Sequence, residues 1–112
     1  MKKVLFYAMT GEKMCFNHIL MNALSLHEAG IETKIIFEGA SVKLPPIFEE
    51  ENFKLYNLCK EKELIAGICY ACSATLGVLE ENEKTGLPLL KDMQGHAGML
   101  AYVEEGYSVI SM

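Results

Sequence analysis

Apolar residues along this chain occur in two alternating patterns, short unbroken runs and longer stretches with helical spacing. The first run, residues 3–9, is rich in β-forming residues, which is typical of a strand covered on both faces. The next stretch, residues 15–29, places apolar side chains three and four positions apart and ends before Gly30. The hydrophobic pattern therefore predicts a buried strand followed by an amphipathic helix.

The same alternation continues along the rest of the chain. Strands are predicted at residues 3–9, 31–38, 64–69, 89–90 and 107–112, and helices at about 15–29, 48–62, 71–81 and 97–105. Strands that are connected by helices form parallel sheets with helices on both faces. The sequence thus predicts a single α/β domain over residues 1–112, with three α/β/α layers around a five-stranded parallel sheet.

Composition and charge narrow the class of protein. The chain has 112 residues, a net charge of -5 and no arginine. Arginine supplies the bidentate contacts to phosphate and guanine, so its absence argues against nucleic acid as a partner. The apolar runs are too short to span a bilayer, and Gly11, Glu12 and Lys13 interrupt the first run too early for a signal peptide. We therefore expect a cytoplasmic protein without a membrane or nucleic-acid partner.

The predicted fold indicates where a ligand would bind. In open parallel sheets, ligand sites lie beyond the carboxyl ends of the strands. The loops after the first, third and fourth strands reach that edge and cover residues 10–18, 69–73 and 93–98. They bring five side chains with thiol or imidazole chemistry to one rim, namely Cys15, His18, Cys69, Cys72 and His96.

Cys69 and Cys72 form a CxxC pair where the third strand meets the third helix. The backbone N–H groups at the start of a helix stabilise an anion, which would lower the pKa of Cys69 and favour its thiolate. A CxxC pair in this position is typical of dithiol redox motifs, although no proline is obviously placed opposite it as in thioredoxin. The same two residues would also serve as small apolar side chains in a core.

A metal centre is another interpretation of the same cysteines. Cys15 and His18 are three positions apart and would share a helix face, so they could complete a tetrahedral zinc or iron site with the CxxC pair. The simpler interpretation is that Cys15 and His18 only begin a helix. His96, in a glycine-containing loop, would be an acid, a base, a hydrogen-bond donor to a thiolate or a plain surface residue.

Two segments resemble the DsrE/DsrF-like (TusD-like) sulfur-relay family. The segment KVLFYAMTGEKMCFNHILMNALSLHEAGIETKIIFEGASV is similar to that family's first strand, glycine-containing loop, helix with an NAL-like centre and second strand. The segment CYACSATLG is similar to its strand-end cysteine, which is followed by small residues and a glycine. The resemblance covers essentially the whole chain and implies a five-stranded parallel α/β/α domain that forms a homo-oligomer, a trimer or a hexamer.

The resemblance also implies a function. In the relay members, the cysteine after the third strand accepts a persulfide and passes the sulfur on, a role that would fall to Cys69. We therefore expect a sulfur carrier or sulfurtransferase that takes sulfur from one protein and hands it to another, without a cofactor or a metal. Cys72 departs from the small residues of the relay members. It would release sulfide by forming a disulfide, or it would help to hold a metal.

The remaining candidates would surround the two cysteines. The expected substrate pocket comprises loop residues at the same edge, namely Thr10, Gly11, Cys15, His18, Tyr70 and His96. Two alternatives to sulfur transfer stay open. One is a redox or zinc- or iron-binding module that uses the CxxC pair with Cys15 and His18, and the other is a non-catalytic structural subunit of an oligomeric ring.

Overall fold

The computed structural model describes residues 2–112 and contains one sheet of five strands. They are β1 (Lys3–Ala8), β2 (Glu32–Phe37), β3 (Ile65–Cys69), β4 (Leu89–Leu90) and β5 (Ser108–Ser111). Their order across the sheet is β4-β3-β2-β1-β5, and every neighbouring pair is parallel. The predicted five-stranded parallel sheet is confirmed. Met1, which the predicted domain includes, lies outside the described residues.

Helices connect the strands and flank the sheet, which gives three α/β/α layers. They are α1 (Lys13–Glu28), a 3₁₀ helix (Gly39–Lys43), α2 (Leu44–Glu50), α3 (Lys54–Glu61), α4 (Tyr70–Thr75), α5 (Leu79–Lys84) and α6 (Leu100–Glu104). In the part of the chain that the structure describes, none of these helices has the length and apolar character needed to cross a bilayer.

Two helices that the sequence predicted as continuous are interrupted. The helix predicted at 48–62 is split into α2 and α3, because Asn52 has a φ of 52°. The helix predicted at 71–81 is split into α4 and α5 at Gly77, which has a φ of 73°. A residue in the left-handed region ends a helix, since the backbone turns away from the helix axis there. The helix that carries Cys72 is therefore only six residues long.

The central strands and α1 build the core that supports the carboxyl edge of the sheet. β1 ends in four buried residues and β2 in three, as expected for parallel strands covered on both faces. α1 buries one stripe of side chains, including Phe16, against them. The Phe16 ring stacks on Phe37 with 4.6 Å between the ring centroids. The ends of β1 and β2 thus form a fixed platform for the loops that follow them.

β4 pairs with β3 through two residues, and Gly67 allows the close approach of the two segments. A Cβ at Gly67 would lie 2.6 Å from the Pro88 carbonyl oxygen and 2.7 Å from Leu90 Cγ. The Ile68 N–H donates to the same Pro88 carbonyl at 2.8 Å. β4 and the residue before it are therefore fixed directly against the backbone of β3.

We expect Gly67→Ala to lower the free energy of unfolding by about 1–3 kcal/mol, because the added methyl group overlaps Pro88 and Leu90. Urea denaturation measures this change. Ala66→Ser, at the half-buried neighbouring position of the same strand, is the control and should change the free energy of unfolding by less than about 0.5 kcal/mol. A Gly67→Ala protein as stable as the wild type would contradict the close approach of the two segments.

Candidate functional site

Four side chains converge beyond the carboxyl ends of the strands. They are Glu38 after β2, Cys69 and Cys72 at the junction of β3 and α4, and His96 in the loop after β4. One donor atom from each side chain lies within 4.8 Å of all the others. We call these four residues the Cys-His-Glu cluster.

The turn from β3 into α4 positions the two cysteines. Cys69 is the last residue of β3 and the N-cap of α4, and Cys72 lies in the first turn of that helix. The Cys72 N–H donates to Cys69 Sγ at 3.4 Å, and the Ser73 hydroxyl donates to the Cys69 carbonyl at 2.7 Å. Cys69 is 0% exposed, whereas Cys72 is half-buried. Both sulfurs therefore belong to one cluster, with Cys72 closer to solvent.

Glu38 supplies a carboxylate that is buried at the end of β2. Its Oε1 accepts from the Cys72 thiol at 2.7 Å and from the Gly39 N–H at 3.1 Å. The Tyr7 hydroxyl lies 3.1 Å from Glu38 Oε2 and 2.7 Å from the Ala97 carbonyl oxygen, and it donates to both acceptors. Burial alone would raise the pKa of Glu38, but hydrogen bonds from the two cysteines, Gly39 and Tyr7 together lower it below its ordinary value. The cluster thus contains an ionised acceptor.

A tight turn after β4 carries the histidine of the cluster. Met93 and His96 form an antiparallel bridge, and Gln94 and Gly95 between them have φ values of 51° and 91°. The Gly95 carbonyl accepts from the Ala71 N–H at 2.8 Å. This hydrogen bond attaches the turn to the first residues of α4, next to the cysteines.

The imidazole of His96 lies between the other three members of the cluster. Its Nδ1 is 3.3 Å from Cys69 Sγ and 3.5 Å from Cys72 Sγ. The same atom is 3.4 Å from Oε1 of Glu38. The His96 side chain is 43% exposed, so the imidazole forms the outer wall of the cluster.

A buried polar network holds α4 against the segment that follows Glu38. Asn82 Nδ2, on α5, donates to Ser73 Oγ and to the Val42 carbonyl, both at 2.9 Å. The Ser41 hydroxyl donates to the Ala8 carbonyl at 2.8 Å, which fixes the 3₁₀ helix on the end of β1. The network therefore sets the position of the CxxC pair relative to the end of β2.

The surroundings of both thiols favour the protonated form. Burial is the largest cause of the raised pKa of Cys69. The hydrogen bond from the Cys72 N–H lowers this pKa, and the hydrogen bond with Glu38 raises it further. Burial, followed by the hydrogen bonds with Glu38 and Cys69, raises the pKa of Cys72 to about 12. The pKa of Cys69 therefore moves in the direction opposite to the one predicted from its position at a helix start.

An open apolar pocket of about 320 Å³ adjoins the cluster. Its lining consists of residues from the 3₁₀ helix, α4 and the loop after β4, namely Gly39, Ala40, Cys72, Thr75, Leu76 and His96. Cys72 and His96 belong to both the cluster and the pocket, whereas Cys69 and Glu38 do not line the pocket. Of the two cysteines in the cluster, the pocket therefore gives access to Cys72.

The structure brings together part of the predicted site. The CxxC pair and His96 are in the cluster, as the position of their loops at one edge indicates. Cys15 and His18 are exposed near the start of α1 and do not belong to it. The metal-ligand set that the sequence suggested with Cys15 and His18 is thus not assembled, and the carboxylate of Glu38 lies beside the cysteines instead.

The other expected pocket residues lie outside the pocket lining. Thr10 Oγ1 accepts a hydrogen bond from a nearby backbone N–H at 3.2 Å. Gly11 packs on Ala40, whose Cβ would be 3.1 Å from a Cβ at Gly11. The Tyr70 ring faces Lys91, with the ammonium nitrogen 5.2 Å from the ring centroid. Gly11 thus packs on a residue that lines the pocket.

Sequence reasoning missed Glu38 and Tyr7. The signal that could have identified Glu38 is its place directly after the apolar run IIF, because the loop after the second strand reaches the same edge as the others. Tyr7 has no comparable signal, since a tyrosine in an apolar strand is ordinarily a core residue.

Comparison with known proteins finds a similar chain of comparable length. The chain is 34% identical over 95 residues to "Uncharacterized protein MJ0733" of Methanocaldococcus jannaschii, and the match covers 85% of this chain and 78% of that protein. No family model matches the chain, and no solved structure matches it. The resemblance to DsrE/DsrF-like proteins therefore stays a prediction.

We expect Glu38→Gln to increase the alkylation rate of Cys72 by about tenfold near pH 8, which corresponds to one pKa unit. The carboxylate favours the protonated thiol, so its removal lowers the pKa of Cys72 and increases the thiolate fraction at a given pH. Iodoacetamide labelling of metal-free protein, followed by peptide mass spectrometry, measures the rate. The exposed Cys15 is the internal control and should react at an unchanged rate. A Cys72 rate that stays equal or falls would contradict the effect of Glu38.

Proposed function

The chain belongs to the same family as uncharacterized protein MJ0733 of Methanocaldococcus jannaschii, and we propose that it carries sulfur between proteins as a persulfide on its CxxC pair. The main support is the position of Cys72, whose thiol donates to a buried carboxylate at 2.7 Å and lines an open pocket of about 320 Å³. A persulfide that enters the pocket therefore meets a thiol whose position is fixed by a hydrogen bond. The resemblance to sulfur-relay proteins favours the same function.

Sulfur uptake is a thiol–persulfide exchange. The Cys72 thiol loses its proton to solvent, and its sulfur attacks the outer sulfur of a donor persulfide, R–S–SH. A bond forms between Cys72 Sγ and the outer sulfur, while the bond between the two donor sulfurs breaks. The donor sulfur leaves with the electron pair of that bond and takes up a proton from solvent. The products are Cys72–S–SH and R–SH, so no external oxidant or reductant is consumed.

Delivery is the same exchange in the opposite direction. An acceptor thiol, R′–SH, attacks the outer sulfur of Cys72–S–SH, and the products are R′–S–SH and the Cys72 thiol. His96 lines the pocket with its Nδ1 3.5 Å from Cys72 Sγ, so its imidazole is in position to hydrogen-bond the transferred sulfur. His96 would thus hold the persulfide until an acceptor arrives.

The two cysteines have different roles in this proposal from those expected from the sequence. The resemblance assigned the persulfide to Cys69, but Cys69 is 0% exposed and does not line the pocket. Cys72 is half-buried and does line it. We therefore assign sulfur uptake to Cys72, with Cys69 as the second thiol.

A dithiol redox function is the second candidate, favoured by the short distance between the two sulfurs, which is within 4.8 Å. Attack of the Cys69 thiol on the inner sulfur of Cys72–S–SH would form a Cys69–Cys72 disulfide and release H₂S. An external thiol reductant would then restore both thiols. Release of sulfide in place of delivery to an acceptor distinguishes this function from sulfur carriage.

The partners follow from the chemistry of the exchange. They are a protein that bears a persulfide and a protein that bears an acceptor thiol. We propose a cytoplasmic location, because the glutathione and thioredoxin systems there keep thiols such as these free cysteines reduced. Assembly into a homo-oligomer of three or six chains stays a prediction from the resemblance.

We expect the metal-free Cys15→Ser protein to gain the mass of one sulfur atom after exposure to a small-molecule persulfide and trapping of thiols. The Cys15→Ser background removes the exposed thiol, which would react without any site. A further Cys72→Ser change should abolish the uptake, because Cys72 lines the pocket. A further Cys69→Ser change should leave it. Cys59→Ala, which removes a fully buried thiol away from the cluster, is the matched control and should also leave it.

The other outcomes each decide against part of the proposal. Full sulfur uptake by the Cys72→Ser variant would overturn the assignment to Cys72. A loss of two hydrogens from the protein with release of sulfide would replace sulfur carriage by the dithiol redox function. An unchanged mass in every variant would overturn both functions and favour a non-catalytic subunit of an oligomeric ring.

A further inference from the structure

We propose that the Cys-His-Glu cluster is a tetrahedral binding site for one divalent transition-metal ion, zinc or ferrous iron. The proposal goes beyond sulfur transfer and does not depend on it. It also differs from the metal site suggested by the sequence, because its ligands are Glu38 and His96 with the CxxC pair, and Cys15 and His18 take no part.

The distances from His96 Nδ1 to the other three donor groups match those between ligand atoms around a tetrahedral metal ion. Zinc–ligand distances put neighbouring ligand atoms roughly 3.3–3.8 Å apart in a tetrahedral site. His96 Nδ1 lies 3.3 Å from Cys69 Sγ, 3.5 Å from Cys72 Sγ and 3.4 Å from the carboxylate. The 2.7 Å distance between Cys72 Sγ and Glu38 Oε1 is a hydrogen bond that the ion would replace. An ion could therefore enter with small side-chain movements.

The chemistry of the donors selects zinc or ferrous iron. Calcium and magnesium take oxygen ligands, whereas two thiolates and an imidazole suit zinc and iron. Among residues 2–112, His96 is the one basic side chain within 4.0 Å of the Glu38 carboxylate. A divalent cation would compensate the negative charge of the buried Glu38 carboxylate.

Hydrogen bonds around the cluster already orient its members. The hydroxyl of Tyr7 contacts Glu38 and also the carbonyl of Ala97, the residue after His96. One side chain thus connects the carboxylate with the histidine loop. The Gly39 N–H holds Glu38 Oε1, at 3.1 Å. Outer contacts of this kind fix metal ligands in place, and their removal typically costs about 10–100-fold in affinity.

A bound ion would occupy the thiol that we assign to sulfur uptake. Four protein ligands leave no open coordination position, which is typical of structural zinc sites. A metal-coordinated Cys72 could not attack a donor persulfide, so metal binding and sulfur uptake would exclude each other on one chain. The site would therefore stabilise the loops at this edge of the sheet and withhold Cys72 from sulfur donors.

Cobalt(II) is the probe for this site, because thiolate ligands give it a near-ultraviolet charge-transfer absorption and tetrahedral geometry gives it intense visible bands. We expect reduced, chelator-treated wild-type protein to bind one cobalt ion per chain with both signals, and zinc to displace it. Cys69→Ser and Cys72→Ser should each remove about half of the charge-transfer intensity, since each removes one of two thiolates.

The affinities of the variants can be compared only if each variant folds. We therefore add substitutions at partly exposed or polar positions to the two cysteine variants. His96→Gln and Glu38→Gln should lower zinc affinity by more than about 100-fold, and Tyr7→Phe should lower it by about 10–100-fold. Cys15→Ser and His18→Gln change the same residue types outside the cluster and should leave the affinity unchanged. Circular dichroism of each metal-free variant establishes that it is folded.

Absence of one-to-one cobalt binding by folded wild-type protein would overturn the proposal. So would binding that is lost in Cys15→Ser or His18→Gln but kept in His96→Gln and Glu38→Gln. Failure of this proposal is separate from failure of sulfur carriage. A chain that takes up sulfur on Cys72 but binds no cobalt would overturn the metal site alone, and one that binds cobalt but takes up no sulfur would overturn sulfur carriage alone.

Discussion

A carboxylate buried at the end of a central strand must be hydrogen-bonded, and the arrangement of the site depends on this requirement. An unpartnered carboxylate in such a position would cost several kcal/mol or would take up a proton. Glu38 is 4% exposed and meets the requirement through Tyr7 of β1, the Gly39 N–H and Cys72 of α4. Its two oxygens therefore connect elements that are far apart in the sequence.

The second organising feature is the buried network beneath the cysteines. Asn82 fixes Ser73 and Val42, and Ser73 in turn holds the Cys69 carbonyl. Such contacts are needed because α4 is too short to be rigid by itself. The geometry of the CxxC pair consequently depends on side chains that lie outside the cluster, and the burial of its thiols outweighs the effect of the helix start on their pKa values.

The alternation of apolar runs was sufficient to predict the five parallel strands, including the two-residue edge strand β4. The central strands gave the clearest pattern, because they are covered on both faces. The alternation also placed Cys69 and Cys72 at the right edge. It did not reveal the helix interruption at Asn52, where the left-handed backbone occurs at a residue other than glycine. Nor did it identify Glu38, since a glutamate after a strand is ordinarily a surface residue.

The exposure of Cys15 and His18 was implicit in the same pattern. α1 buries Phe16, Ile19, Leu20 and Ala23, which define the face that packs on the sheet. Residues that directly precede Phe16 and Ile19 are rotated by about 100° from them on the helix, so they point away from that face. The hydrophobic stripe thus excludes both residues from a site on the sheet, whereas the spacing between the two residues alone suggested the opposite.

The strand order also has a consequence for how the molecule folds. β4 and β5 lie on opposite edges of the sheet, and β5 completes it by pairing Val4 with Ser108. Pairings between residues so distant in sequence form slowly, because the chain must lose loop entropy before they are stabilised. The segment from β4 to β5 carries His96 and crosses the whole sheet. During synthesis, the CxxC thiols therefore leave the ribosome before the segment that carries His96 and completes the cluster.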